Sequence, residues 1–287
     1  MYYNKYGVDK MNKEYYIEII NDKLIGISKK IMMNQVSSYY KAKEYKIPKC
    51  KYNIGDEVKL IKGTLLHGTY KNLDGLKFIK ENGLMSSLFI EGRGSKYPNS
   101  VGVWNLKQDI LLKDYIDFYS GGTIGYKTIE GDNIGTNVIP YSKMNNLMNM
   151  IDASNCFRWH MEQTKEARFL PSLVQDKVQI GIIFNSDNEC IQELLKGDIL
   201  NPNMISDEDV KEFVNKNYYD SFIKDRKNKD DFFTDRESAI LFGIPSNFIE
   251  GILVGREYEQ DSVILAEIKS IIPNCYICNL DGKVIRD

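Results

Sequence analysis

Along the first part of the chain, Tyr15, Ile17, Ile19, Ile20, Leu24, Ile27, Ile31 and Met32 recur at three- and four-residue steps, the spacing that lines one face of an α-helix. The pattern predicts a helix over about 12–45 that Pro48 stops, with residues 47–55 as a linker. From residue 57 onward short apolar runs alternate with Gly and Asn. Val58–Tyr70 reads as strand, and Leu73–Asn82 as a helix closed by Gly83. Val101–Asn105 reads as strand, followed by a Gly-rich turn at 120–125 and a helix at about 143–166. Gln179–Phe184 carries Ile180, Ile182, Ile183 and Phe184 and no charged residue, which predicts a strand buried on both faces. Asn188–Leu195 and Ser206–Phe222 read as helices, the second opened by Ser206 with Asp209 three residues on. Ser238–Phe242, Phe248–Val254, Val263–Ile268, Tyr276–Asn279 and Lys283–Ile285 read as strands. Helices early, strands late and short connections imply an α+β fold with a mixed, mostly antiparallel sheet.

Composition narrows the class. The 287 residues are 43% hydrophobic and 27% charged, with 19 tyrosines, enough bulky apolar area for a core and too much for disorder. No run approaches the roughly 18 uncharged apolar residues of a membrane span, and the first residues lack the apolar stretch of a secretory signal. The expectation is a cytoplasmic protein, or an effector delivered without a signal peptide, with no membrane partner. Charge is uneven: residues 1–60 hold 12 lysines and 7 acids, and the remainder 26 basic and 33 acidic side chains. That asymmetry suggests an N-terminal helical extension over 1–52 and a second unit over 53–287. The lysines of the extension fit a solvated helix face better than a nucleic-acid patch.

Five scattered cysteines read as free thiols, and Cys275-Tyr-Ile-Cys278 lacks a second pair to complete a zinc site. With only His67 and His160 as histidines, a metal centre is not expected. The stretch Leu65-Leu66-His67-Gly68-Thr69 carries more chemistry. It puts a ring donor, a residue without a side chain and a hydroxyl together at the end of an apolar strand, and the glycine lets a flat amide approach main-chain N–H and C=O. A lone histidine there is by itself more often a satisfied core residue. The same holds for Tyr119 taken as one of 19 tyrosines, and Glu237 in isolation reads as a solvated acid at a strand start.

Three blocks in order change that balance. His67-Gly68-Thr69, followed by a helix ending in Gly83-Leu84, resembles the opening motif of the poly(ADP-ribose) polymerase branch of the ADP-ribosyltransferase superfamily. Leu112-Lys-Asp114-Tyr115-Ile-Asp117-Phe118-Tyr119 is similar to a segment of DarT-type DNA ADP-ribosyltransferases, with Asp117 where that family has proline. Arg236-Glu237-Ser-Ala-Ile-Leu-Phe-Gly-Ile-Pro245, continuing to Gly251 and Val254, is similar to the family's catalytic-glutamate strand. The resemblance covers roughly residues 57–270, and implies a split, mixed, mostly antiparallel sheet with flanking helices.

It also implies NAD as a consumed co-substrate, without metal. Breaking the nicotinamide–ribose bond passes through an oxocarbenium-like state that a nearby carboxylate stabilises, and Glu237 is the candidate. Tyr119 and Tyr126, with Trp104 behind them, are candidates to stack on the cationic nicotinamide ring. By the family's roles, His67 holds the adenosine ribose, Gly68 the carboxamide, and Thr69 lines the same site. Arg93 is a candidate for pyrophosphate or for transfer, though its neighbours depart from the DarT pattern. Phe232 and Phe233, at the end of the charge run that begins at Lys224, stand where the superfamily places its substrate-recognising loop. The acceptor is a nucleic-acid base or a protein, with an antitoxin or a reversing hydrolase as a further partner. Three alternatives stay open: a non-enzymatic module of the same fold, a toxin-type enzyme using Glu257 and Glu259, and an RNA phosphotransferase with NAD as phosphate acceptor. The toxin-type branch also carries a Ser-Thr-Ser strand, which this chain lacks, and the phosphotransferase wants basic side chains around its cleft.

Overall fold

The computed structural model describes residues 29–46, 52–69, 71–85, 100–106, 108–120, 123–127, 133–138, 179–185, 187, 189–198 and 235–287. The expected helices at 143–166 and 206–222, the helix before residue 29 and the linker up to residue 51 lie outside them. The first described helix, α1, is Lys29–Lys43. Strands β1 (Lys59–Leu60) and β2 (Leu65–Gly68) lead to α2 (Asn72–Asn82), closed by Gly83 at φ 78°, and to β3 (Leu84–Met85). Next come β4 (Ser100–Leu106), β5 (Ile110–Leu111), α3 (Leu112–Ser120), and a hairpin of β6 (Thr123–Lys127) with β7 (Asn133–Val138). Beyond β8 (Ile180–Phe184) and α4 (Glu189–Leu195) follow β9 (Asp235–Leu241), β10 (Gly243–Ile244) and β11 (Ile249–Val254). A helical turn α5 (Arg256–Glu259), helix α6 (Ser262–Ile271), β12 (Tyr276–Cys278) and β13 (Val284–Arg286) complete the described chain.

Among the described residues, seven strands form one open sheet in the order β13-β12-β11-β8-β2-β4-β9. Every neighbouring pair is antiparallel except β11 with β12, so the α+β architecture with a mostly antiparallel sheet holds. Because successive strand residues face opposite sides, neighbours separate into two cores. Leu65, Ile182, Ile252 and Ile277 join one cluster, and Leu66, Ile183, Leu253 and Cys278 the other. Helices α1, α2, α4 and α6 cover the first face through Met32, Val36, Leu76, Ile79, Ile191, Leu194, Leu265 and Ile268. Val58, Leu60, Leu112, Tyr115, Ile116 and Val284 cover the second. Each fully buried aliphatic side chain contributes about 1.5–3 kcal/mol. Cys275 belongs to the first face and Cys278 to the second, so the sheet divides the Cys-x-x-Cys pair; both are free thiols.

Two readings of the sequence need correction. Val263–Ile268, expected as a strand, is the interior of α6. Asp261 caps that helix by accepting the N–H groups of Val263 and Ile264 at 2.9 and 3.0 Å, and Leu265, Ile268 and Ile272 are buried while Val263 is 74% exposed. A three- to four-residue period is helical. The single strand expected over 58–70 is two strands around a turn at Gly63, where φ is 90°.

Helix α1 packs on the same face as the others. Met32, Val36, Tyr39 and Ala42 are buried in the first cluster. Tyr39 donates to the Asn82 carbonyl at 2.9 Å and meets the Phe242 ring edge-on at 4.8 Å. Asn247 donates to the carbonyls of Ala42 and Tyr45 at 3.0 and 2.7 Å, closing the end of α1. Burial, and secondarily Tyr40, pushes the Tyr39 phenol far above its usual range.

Candidate functional site

The glutamate-bearing strand β9 lies beside β4 along its whole length, with Trp104 opposite Glu237. Strand β4 in turn lies beside β2, with Leu66 opposite Trp104. Glu237 is therefore in the same cross-strand row as Leu66, two strands and about 10 Å away, although about 170 residues separate them in sequence. One polar tie inside this pair of strands sits next to Glu237: Asn105 donates to the buried Ser238 hydroxyl at 3.4 Å.

The ladder between β2 and β4 stops early. It pairs Leu65 with Asn105 and Leu66 with Trp104, while β2 stays with β8 through Gly68 opposite Gly181 and β4 stays with β9 through Ser100 opposite Leu241. From His67 onward, β2 and β4 have no ladder between them. Backbone groups alternate in direction along a strand, and two bonds fix the phase. The Leu106 N–H donates to the Thr64 carbonyl at 3.0 Å, and the Thr69 N–H donates to the Ile180 carbonyl at 3.1 Å. Even-numbered residues of β2 thus turn their N–H and C=O toward β4, and odd-numbered ones toward β8. Gly68 is even-numbered, buried, and lies beyond the last β2–β4 pair, so both of its main-chain groups face β4 where no ladder pairs them. The same phase turns the backbone of Gly102 on β4 toward Gly68.

His67, one residue earlier, pairs with Ile182 on the β8 side, is partly buried, and falls one step out of the row of Leu66 and Glu237. Thr69 is buried. Its hydroxyl is pressed against the start of α2, where a Cβ built on Gly75 would overlap Thr69 Oγ1 and lie 3.1 Å from Thr69 Cβ. That side chain packs the helix onto the strand.

Tyr119 is near the end of α3, beyond the buried Leu112, Tyr115 and Ile116. Tyr126 is in the β6–β7 hairpin, opposite Gly135. The side chains of Trp104, Tyr119, Tyr126 and Glu237, and the whole of Arg93, Phe232 and Phe233, lie outside the described residues. Glu257 and Glu259 stand on α5 past the end of β11, a strand that β8, β2 and β4 separate from β9. Glu259 accepts a hydrogen bond from Asn279 at 2.9 Å. Burial raises the Tyr258 phenol pKa, as do the acids Glu257, Glu267, Asp74 and Asp261 around it. Among the described residues no group of His, Cys, Asp and Glu could hold a metal ion.

Two residues that the sequence reading passed over stand close to this strand end. Asn72, the first residue of α2, has φ 47°, and its side-chain oxygen accepts the Gln179 N–H at 2.7 Å. Gln179 is buried at the start of β8. Its carbonyl accepts the Gly255 N–H at 2.9 Å and its side-chain oxygen the Glu257 N–H at 3.2 Å. Asparagine is among the residues that tolerate a left-handed φ, whereas nothing in the sequence around Gln179 marks it. Comparisons with protein-family models, curated proteins and solved structures returned no match.

Proposed function

We propose that this chain is an NAD-dependent mono-ADP-ribosyltransferase, which breaks the nicotinamide–ribose bond and transfers ADP-ribose to a nucleic-acid base or a protein. The observation that carries the reading is the adjacency of the His67–Gly68 strand, the Trp104 strand and the Glu237 strand, together with the end of the β2–β4 ladder at Leu66. A sheet that parts at this point fits the split sheet of that superfamily. In this reading the main-chain N–H and C=O of Gly68, which no β2–β4 pair uses, serve the carboxamide, which needs one of each. Glu237, on β9 beside the β4 strand, supplies the carboxylate that stabilises positive charge developing on the ribose. His67 holds the distal ribose, and Tyr119 or Tyr126 supplies an aromatic face for the cationic ring. Thr69 also packs: its hydroxyl lies against Gly75 at the start of α2.

Nicotinamide release from labelled NAD tests the reading. Glu237→Gln is expected to lower it by about a hundredfold, the usual cost of losing one preorganised electrostatic stabiliser, while NAD still binds by calorimetry. His67→Ala is expected to raise KM more than it lowers kcat, because its contact persists from ground state to transition state. Unchanged turnover in Glu237→Gln would refute the assignment, and NAD binding without any nicotinamide release in the wild type would move the chain to a non-enzymatic module. For the acceptor, lysate labelled with biotinylated NAD is digested in separate aliquots. Label that survives protease but not nuclease identifies nucleic acid, and the reverse identifies protein.

A further inference from the structure

We infer that Asn72 and Gln179 form a clamp that holds the His67–Thr69 strand end in the geometry the donor needs, which makes them positioning residues for the proposed NAD site. The inference rests on that reading for its functional half and on the hydrogen bonds alone for its mechanical half. After Gly68 the chain makes a tight turn in which the Asn72 N–H donates to the Thr69 carbonyl at 3.2 Å. Thr69 bonds to β8, donating to Ile180. One residue before Ile180, the Gln179 N–H donates to the side-chain oxygen of Asn72 at 2.7 Å. The turn is thereby stapled to β8 at both ends.

Gln179 extends the staple to a third segment through the Gly255 and Glu257 N–H groups. Its room there is limited, because a Cβ on Gly255 would overlap its side-chain oxygen. On the other side of Gly68 the partner strand β4 has ended its ladder. With no β2–β4 ladder at Gly68, the orientation of its N–H and C=O depends on what holds the segment from β8 and from the turn. Asn72 also keeps a positive φ, at 47°, a conformation that asparagine tolerates and that is retained where the surroundings over-determine it.

The experiment compares Asn72→Ala, Asn72→Asp and Asn72→Gly with wild type in hydrogen exchange of the 65–76 segment, in KM and kcat for nicotinamide release, and in thermal melting. Aspartate keeps an acceptor for the Gln179 N–H and should stay within about twofold of wild type in KM. Alanine and glycine lose it. Both should speed exchange of the His67 and Thr69 amides by roughly tenfold and raise KM for NAD by about five- to tenfold, the ratio set by a hydrogen bond of ordinary net strength, with kcat nearly unchanged. Glycine relieves the positive φ and should melt higher than alanine without recovering KM.

Unaltered exchange at His67 and Thr69 in Asn72→Ala overturns the clamp whatever NAD does. A glycine variant with wild-type KM overturns it as well, since the side-chain acceptor would then be dispensable. A lower melting temperature with unchanged KM in the folded alanine variant overturns the positioning role. Faster exchange in variants of a wild type that releases no nicotinamide supports the mechanical clamp and refutes the donor reading with the functional half of this inference.

Discussion

Replacing Gly75 by alanine sets a packing role for Thr69 against a ligand-binding one. In an exposed helix interior the exchange would raise stability by about 1 kcal/mol, because glycine is that much poorer in a helix. Here the new methyl would overlap Thr69 Oγ1 and stand 3.1 Å from Thr69 Cβ. Thr69 is buried, and a β-branched side chain has few other rotamers to retreat to. Overpacking of this kind costs about 1–3 kcal/mol, so the net effect of Gly75→Ala is a fall of about 1 kcal/mol. Truncating Thr69 to alanine removes the colliding oxygen and leaves only the tighter methyl contact. Gly75→Ala should then be neutral or stabilising in the Thr69→Ala background, which corresponds to a coupling of about 1–2 kcal/mol between the two sites. Urea titrations of the four proteins measure it through shifts of the midpoint at constant slope. Calorimetry with NAD should show Thr69→Ala within about twofold of wild type. A stabilising Gly75→Ala with no coupling would refute the reasoning, and would return the Thr69 hydroxyl to the site where the sequence motif suggested it.

Met32→Ala in α1 should lower the stability of the whole protein by about 2–5 kcal/mol in a single melting transition; a main transition left unchanged would mean that α1 folds apart from the sheet. Glu250 sits in a register shift of β11, where burial raises its carboxyl pKa above the ordinary 4.5; a hydrogen bond from Asn185 at 3.0 Å partly opposes this and Asp187 adds to it. An acid with a raised folded-state value contributes stability that is full below pH 4.5 and is lost as pH rises through that folded-state value. Glu250→Gln, which can still accept from Asn185, should therefore melt above wild type at pH 7 and level with it near pH 4, and equal melting at both would refute the shift. Cys275 and Cys278, buried on opposite faces of the sheet, should stay closed to thiol reagents until denaturant is added and should form no disulfide with each other on mild oxidation; mass spectrometry of the oxidised protein checks this.

The elements legible in the sequence are those whose surroundings are written locally. Ile180–Phe184 is apolar at every position because both faces of β8 are covered, and so short a run rich in β-branched residues favours a strand. Helix α2 was legible from its apolar spacing and from Gly83, which takes the positive φ at its end. Helix α6 was not, because Val-Ile-Leu-Ala-x-Ile suits a strand or a helix equally. The Asp261 cap, and a core that takes Leu265 and Ile268 but leaves Val263 in water, decide it. For the candidate site, the chemistry of His67, Gly68 and Glu237 could be suspected from residue types and order. Their place on neighbouring strands could not, since pairing across 170 residues depends on which sheet edges meet. The end of β2–β4 pairing before Gly68 depends on where one ladder ends and another continues, and the Asn72–Gln179 bond on two loops brought together by strands far apart in the chain. Contacts of that kind leave no local period or cap in the sequence, so only the tertiary structure could supply them.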